Sequence, residues 1–269
     1  MSKTFNAKHF FSAVLVVCIA VSTVCQAQSR KLRKYKRTVF DCDVQLNRDF
    51  EKLNDSVFVM KSEVTNCRYK AFLTYLQKNE QVEMLRVCTP DSNFTSVPHT
   101  TDASMQVMSK FYFKHAAYNY YPVCNVSYRA ALAYCAYLTE MLNAQGNGTY
   151  VVRLPTYGEY YEYSDLGELR KREKNYRSLF TAENSAYYFQ EVLGEAATPT
   201  MYAITSSYKP SSHGIYNCFG NVAEMLSDME FAVGGSCFDK PNEMPDDMLY
   251  TKAIGTSPLV GFRVVVVKR

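Results

Sequence analysis

The chain has 269 residues, nine cysteines, 22 tyrosines and no tryptophan, and 47% of its residues are apolar. This length suits one domain of about 200 residues plus a leader, and the apolar fraction excludes a largely disordered chain. The net charge is +4, yet Lys3 and Lys8 contribute +2 and residues 28–37 contribute +6. The remainder is therefore mildly acidic (−4), which argues against a nucleic-acid-binding domain.

Residues 1–27 have the features of a secretory signal peptide. Lys3 and Lys8 form a positive start, residues 10–21 form a short apolar run, and Ala27 ends a small-residue cleavage site. The apolar run is short for a transmembrane helix. The sequence therefore predicts export, with cleavage near Ala27.

The chain after the leader divides into a basic linker, residues 28–45, and a globular domain, residues 46–269. The basic arm could bind anionic lipid or an acidic partner, but it is more simply a solvated linker. Cys25 is an alternative site for lipid attachment, although Val24 is larger than lipoprotein processing prefers before the cysteine. Membrane association would occur through the basic arm or through a lipid on Cys25.

The first predicted helix spans residues 63–78. Thr65 is suited to cap it, and one face is apolar. Residues 79–120 are polar and rich in turn-forming residues, and we interpret them as long loops. A second helix follows Ser127, and its predicted stripe consists of Tyr128, Leu132, Cys135, Leu138 and Leu142.

Two strands complete the predicted elements. Residues 150–154 form a short strand, and residues 261–267 are apolar on both faces, which predicts a central buried strand. Weakly periodic segments separate these elements. The chain is therefore predicted to have an α+β fold with much irregular structure.

Seven cysteines remain after the leader is removed, so at least one is not part of an intramolecular disulfide. No spacing is CxxC, which gives a zinc site no support. Several cysteines lie in apolar helical stretches, where we expect small buried side chains.

Five separated stretches resemble the formylglycine-generating enzyme (sulfatase-modifying factor) family. They are EVTNCRYKAF at 63–72, YPVCNVSYRAALAYCAYL at 121–138, RLPTYGEYYEY at 153–163, GIYNCFGNVAEMLSD at 214–228, and AVGGSC at 232–237 with GFRVV at 261–265. The resemblance implies the C-type-lectin-like fold of that family. The stretch before YPV looks most like the gliding-motility and type IX secretion lipoproteins of the Bacteroidetes, which implies the periplasm or outer membrane of a Gram-negative bacterium.

The resemblance also implies where an oxidase site would lie. In the family two cysteines after the GGSW block bind copper(I), because soft thiolates suit that ion. The equivalent positions here are Asp239 and Met244, and Cys237 stands at the tryptophan position. Copper is therefore not expected. Cys237 with Met244 is a weak alternative copper site, since it has a single thiolate.

A structural calcium ion is the cofactor that the resemblance implies. Its ligands would be the side chain of Asn217, the backbone carbonyls of Gly220 and Val222, and the carboxylate of Glu224. A hard cation prefers such an all-oxygen set. Alternatively, Asn217 and Glu224 only hydrogen-bond the turn.

These observations favour a non-catalytic exported scaffold or interaction protein of a bacterial cell envelope, in a type IX secretion or gliding-motility assembly. Its partners would be other envelope or secretion-machinery proteins. Two alternatives stay open: an enzyme with a rearranged oxidase site, and a glycan-binding module that uses the loops of a lectin-like fold.

Overall fold

The computed structural model describes residues 42–92, 110–146, 148–167, 202–207, 210–228, 231–237, 239, 249–252 and 255–269. The predicted leader, most of the basic linker, the lipidation candidate Cys25 and the copper-site position Met244 lie outside these residues. Within them, no helix is both long enough and apolar enough to cross a membrane.

Five α-helices are present in the described residues. They are α1 (Leu46–Asp49), α2 (Asn66–Lys78), α3 (Val82–Cys88), α4 (Tyr128–Ala144) and α5 (Tyr157–Tyr163). The hydroxyl of Thr65 accepts from the amide of Arg68, and the hydroxyl of Ser127 accepts from the amide of Ala130. Both predicted caps are therefore confirmed, because each hydroxyl satisfies an amide that the helix leaves without a carbonyl.

The strands form two four-stranded sheets in the part of the chain that the structure describes. Their bounds are β1 (Phe50–Lys52), β2 (Val57–Met60), β3 (Tyr150–Arg153), β4 (Ala223–Met225), β5 (Phe231–Val233), β6 (Leu249–Lys252), β7 (Val260–Gly261) and β8 (Val265–Lys268). The first sheet has the order β1-β2-β8-β3 and is antiparallel throughout. The second has the order β6-β5-β4-β7, with β4 and β7 parallel. This mixture of helices and sheets confirms the α+β class.

The C-terminal apolar run differs from its prediction as a single strand. It forms two strands in different sheets, with Phe262, Arg263 and Val264 between them. The carbonyls of Phe262 and Val264 accept from the amides of Val64 and Met60, so the connection is itself paired. β8 lies between β2 and β3, as expected of a central buried strand.

Two other local predictions are confirmed only in part. Of the stripe predicted for α4, Cys135, Leu138 and Leu142 are buried, whereas Leu132 is 44% exposed and Tyr128 is half-buried. Residues 79–120 are not all loop, because α3 and a 3-10 turn at Ala116–Tyr118 lie among them. The C-terminal part of the predicted stripe therefore packs, and Ala131 and Tyr134 take the place of Leu132 in the first half of the helix.

Aromatic side chains join α2 to α4 in the larger core. Tyr134 stacks on Tyr69 with ring centroids 5.9 Å apart and meets Phe72 edge-on at 5.7 Å. All three are buried. Such pairs contribute about 0.5–1.5 kcal/mol each beyond the area that they bury. Tyrosine and phenylalanine thus fill a core that lacks tryptophan.

A disulfide fastens the start of the domain to α2. It joins Cys42 to Cys67, whose Cα atoms are 5.2 Å apart. Residue 42 is therefore tied to the fold. The remaining described cysteines, Cys88, Cys124, Cys135, Cys218 and Cys237, are all buried, in agreement with the expectation of small buried side chains.

Candidate functional site

The segment GIYNCFGNVAE forms a tight turn that leads into β4. Asn217, Gly220 and Asn221 all have a positive φ, of 51°, 73° and 63°. Asparagine and glycine are the residues that adopt this left-handed conformation most readily. The turn brings Asn217, Asn221 and Glu224 against Glu63 and Arg263, and we call these five buried residues the charge cluster.

Arg263 is the centre of the charge cluster. Its Nη2 donates to Glu224 Oε1 at 2.6 Å, and its Nε donates to both oxygens of that carboxylate at 3.2 and 3.0 Å. It also donates to the carbonyls of Met60 and Tyr216. Burial alone lowers the pKa of Arg263, but the paired Glu224 raises it above its usual value. The guanidinium therefore stays charged and holds three segments together.

Glu63 is a second carboxyl in the same cluster. Its oxygens accept from Asn221 Nδ2 at 2.8 Å and from Asn217 Nδ2 at 3.3 Å. Burial raises the pKa of Glu63 to about 8; Arg263 opposes this shift and Glu224 adds to it. Two carboxyls thus share one guanidinium, and Glu63 is the one that holds a proton at neutral pH.

Three predicted calcium ligands, Asn217, Gly220 and Val222, lie in this turn, and Glu224 lies in β4, which follows it. The side-chain oxygen of Asn217 is unused. Asn217 Oδ1 is buried and has no hydrogen-bond partner in the described part of the chain. An unpaired buried acceptor is unfavourable unless a cation or water satisfies it. Both oxygens of Glu224 already accept hydrogen bonds from Arg263, and one also accepts from Tyr163. Asn217 therefore fits a cation directly, whereas Glu224 would have to exchange a hydrogen bond.

Asp239, which the sequence resemblance aligns with a copper-binding cysteine, closes a turn with Ser236. Its Oδ2 accepts from the amide of Ser236 at 2.7 Å, and its own amide donates to the carbonyl of Ser236. A carboxylate used in this way closes a turn and offers no soft ligand. Among the described residues, no three His, Cys, Asp or Glu side chains converge as a metal site.

Cys237 lies in a second buried group that sequence reasoning missed. It packs with Tyr112, Cys124 and Tyr202, and we call these four residues the thiol–tyrosine cluster. The only sequence signal for this group is that two of its cysteines occur in the motif blocks at 121–138 and 232–237. Val222 of the GNVAE turn packs against the cluster, so the two groups are neighbours.

The hydroxyls of the two tyrosines in the thiol–tyrosine cluster donate hydrogen bonds to backbone carbonyls. Tyr112 donates to the carbonyl of Pro122 at 2.6 Å, and Tyr202 donates to the carbonyl of Pro258. Both hydroxyls also lie close to the thiol of Cys124. Burial raises the pKa of Cys124 to about 12, although these hydroxyls oppose the shift. The cluster is therefore neutral, in contrast to the charge cluster.

An open cleft of about 220 Å³ reaches this cluster from the surface. Cys124 and Tyr112 form part of its wall, and Lys110 and Lys114 lie at its side. Cys124 is consequently the thiol of the pair that lines a cleft, whereas Cys237 is not among the residues that line it.

Ser212, His213 and Asp165 meet at the surface but lack the arrangement of a catalytic triad. Ser212 Oγ donates to Asp165 Oδ1 at 2.6 Å, and His213 Nδ1 lies 3.2 Å from that same oxygen. In a triad the histidine uses one ring nitrogen for the serine and the other for the carboxylate. Here Asp165 accepts from the serine directly, so the group joins the segment after α5 to residues 212 and 213.

These features define an α+β protein whose centre is a buried ion pair beneath a GNVAE turn. The sulfatase-modifying factor enzyme 1-like domain family matches residues 43–268. The chain therefore belongs to this family, as its sequence blocks predicted, and has the family's C-type-lectin-like fold.

The chain is also similar to several solved structures. The chain is similar to the crystal structure of CarF, with 18% identity over 79% of this chain and 87% of CarF and a TM-score of 0.50. It also matches Treponema denticola variable protein 1 (15% identity, 82% and 91% covered, TM-score 0.47) and PvdO from Pseudomonas aeruginosa (16%, 55% and 63%, 0.42). No curated protein sequence matches. At this identity the likeness to CarF concerns the fold alone.

Proposed function

We propose that the protein is a non-catalytic exported scaffold or interaction protein of a bacterial cell envelope, in a type IX secretion or gliding-motility assembly. The observation that carries this proposal is Asp239, a turn-closing carboxylate at the position where the family's chemistry needs a thiolate. The family fold is retained around it. A retained fold without its reactive group favours a binding role.

Export has two independent supports. The leader pattern of residues 1–27 is one. The Cys42–Cys67 disulfide is the other, since such bonds persist mainly in oxidising compartments.

Crosslinking followed by affinity purification from membranes of the native host tests the assembly role. We expect envelope or secretion-machinery proteins to be crosslinked to the chain in stoichiometric amounts. Recovery of only a soluble, uncrosslinked monomer would contradict the proposal. Fractionation of the same cells reports export separately.

We also propose that a structural calcium ion binds the turn at residues 217–224. Asn217 Oδ1, the carbonyls of Gly220 and Val222, and the carboxylate of Glu224 would hold it. The unpartnered Asn217 oxygen supports this proposal, because calcium prefers carbonyl and carboxylate oxygens. The ion would fix the turn and carry no chemistry.

Calcium titration by calorimetry, with thermal unfolding in parallel, tests the ion. We expect saturable binding and a raised melting temperature for the wild type, and loss of both in Asn217→Ala. Asn143→Ala is the matched control, because Asn143 is a structural amide that bonds the backbone of Tyr150. If both variants keep the calcium response, Asn217 is not a ligand.

A rearranged oxidase is the second candidate, and one observation favours it. Cys237 has a neighbouring thiol, Cys124, within the thiol–tyrosine cluster. Two thiolates are the minimum for tight copper(I) binding. Burial raises the pKa of both thiols, which opposes formation of those thiolates. A copper(I) titration under reducing conditions separates the two candidates.

A further inference from the structure

We propose that Cys124 and Cys237 are a redox pair that forms a second disulfide after export. This inference rests on the proposed export, since the reaction needs an oxidising compartment. The bond would join the YPVCNVS segment to the GGSC segment. Its effect would be to lock the wall of the cleft to the end of β5.

The neighbourhood of the two thiols supports the pair. Both are buried in the thiol–tyrosine cluster, where Tyr112 and Tyr202 pack against them. Each tyrosine interacts electrostatically with both sulfurs, and Cys237 interacts with Cys124. The backbone amide of Cys237 donates to the carbonyl of Asn221 at 3.0 Å, which fixes its position beside the turn.

The cleft gives the two thiols different roles. Cys124 is among the residues that line the cleft and Cys237 is not, so an oxidant in the cleft would react with Cys124 first. Lys110 and Lys114 line the cleft with a single acidic residue, Asp91, so an anionic oxidant such as oxidised glutathione would be favoured there. Cys237 lies behind it and is suited to resolve the intermediate.

The reaction is a thiol–disulfide exchange with an oxidant that carries a disulfide. Cys124 loses its proton to solvent, and its thiolate attacks one sulfur of the oxidant; the oxidant's S–S bond breaks and its other sulfur leaves as a thiolate. The Cys237 thiolate then attacks the Cys124 sulfur of this mixed disulfide and displaces the second sulfur. The protein loses two electrons and two protons, and the oxidant becomes two thiols.

Burial makes this exchange slow in the folded protein. It raises the pKa of Cys124 to about 12 and that of Cys237 well above its usual range, with Cys124 adding to the latter. Since the thiolate is the nucleophile, the rate should rise about tenfold for each pH unit between 7 and 9.

Disulfide mapping after controlled oxidation tests the pair. The full mature chain is reduced, exposed to oxidised glutathione, quenched with an alkylating agent, digested without reduction and analysed by mass spectrometry. We expect a linked peptide that contains Cys124 and Cys237, besides the Cys42–Cys67 link. Alkylation of both Cys124 and Cys237 after the Cys42–Cys67 link has formed would overturn the proposal.

Two variants test the order of attack, and a third is the control. Cys237→Ser should accumulate glutathione on Cys124, whereas Cys124→Ser should leave Cys237 unmodified. Cys135→Ser removes a buried thiol of α4 and should still form the pair. Glutathione on Cys237 in Cys124→Ser would contradict the assigned roles.

The mapping of the wild type needs no substitution, so a variant that fails to fold does not remove the test. It also uses purified protein in a defined buffer. A failure of export therefore appears in cell fractionation, and a failure of the pair appears in the mapping.

Discussion

The charge cluster and the thiol–tyrosine cluster are neighbours with opposite electrostatic designs. The first holds a buried ion pair and a second carboxyl, and the second holds only neutral hydroxyls and thiols. Both lie at family motif blocks. The charge cluster therefore depends on an ion pair for its stability, whereas the thiol–tyrosine cluster depends on packing and neutral hydrogen bonds.

The largest loss of stability is expected when the ion pair between Glu224 and Arg263 is broken. Glu224→Ala leaves the guanidinium of Arg263 buried without its carboxylate, and we expect a loss of about 3–5 kcal/mol in the free energy of unfolding. Urea unfolding measures it. Glu83→Ala is the control, because the Glu83–Arg86 pair is exposed and should change stability by about 0.5 kcal/mol or less. Equal losses in the two variants would contradict a structural role for the cluster.

Glu63, the second carboxyl of the charge cluster, predicts that the stability of the fold depends on pH. The pKa of Glu63 is about 8 in the folded state against 4.5 for the unfolded chain, with burial as the main cause. Between these values the unfolded chain has released a proton that the folded state still binds. Stability should therefore fall as pH rises from about 4.5 to about 8, by a few kcal/mol in total.

Unfolding in urea with a metal chelator, repeated across that pH range, measures this slope. Glu63→Gln cannot ionise and should reduce the slope, while Glu83→Gln should keep it. An unchanged slope in Glu63→Gln would show that another group titrates.

The smallest loss of stability is expected from a substitution in the thiol–tyrosine cluster. Tyr112→Phe removes a buried hydroxyl that donates to the carbonyl of Pro122, and we expect a loss of about 1–2 kcal/mol. Tyr75→Phe is the control, since its hydroxyl bonds to Glu140 at the surface and should matter little. Urea unfolding compares them. A loss in Tyr112→Phe as large as that in Glu224→Ala would remove the distinction between the clusters.

Local sequence signals predicted the parts of the fold that depend on neighbours in the chain. Thr65 and Ser127 cap their helices because a cap needs only an amide three residues away. The family blocks predicted that Asn217, Gly220 and Glu224 share one turn. The prediction of a single strand over residues 261–267 was wrong, because apolar residues indicate burial and do not indicate which sheet they will join.

Gly261 marks the point where that run changes sheets. A Cβ at this residue would lie 2.6 Å from the carbonyl oxygen of Val123 and 2.8 Å from a methyl group of Val222. Only glycine fits so close an approach of backbone to backbone. This contact involves segments that are more than about 30 residues away in the sequence. The periodicity of apolar residues therefore could not predict it.

The contacts between residues of the site could not be predicted from local sequence patterns either. Glu224 was interpreted as a cation ligand, and its bidentate contact with Arg263 joins residues from two separate motif blocks. Cys124 and Cys237 meet for the same reason, since the fold alone brings their blocks together. Spacing predicts groups within one turn or helix, and long-range pairs need the tertiary structure.

Copper(I) stoichiometry under reducing conditions, measured against a strong chelating competitor, tests most directly whether this chain has an oxygen-activating site. Because the resemblance places a carboxylate, Asp239, where a thiolate is needed, and because burial raises the pKa of Cys124 and Cys237, we predict that no copper(I) remains on the protein. Retention of one copper(I) per chain, lost in both Cys124→Ser and Cys237→Ser, would contradict the account and establish a rearranged metal centre.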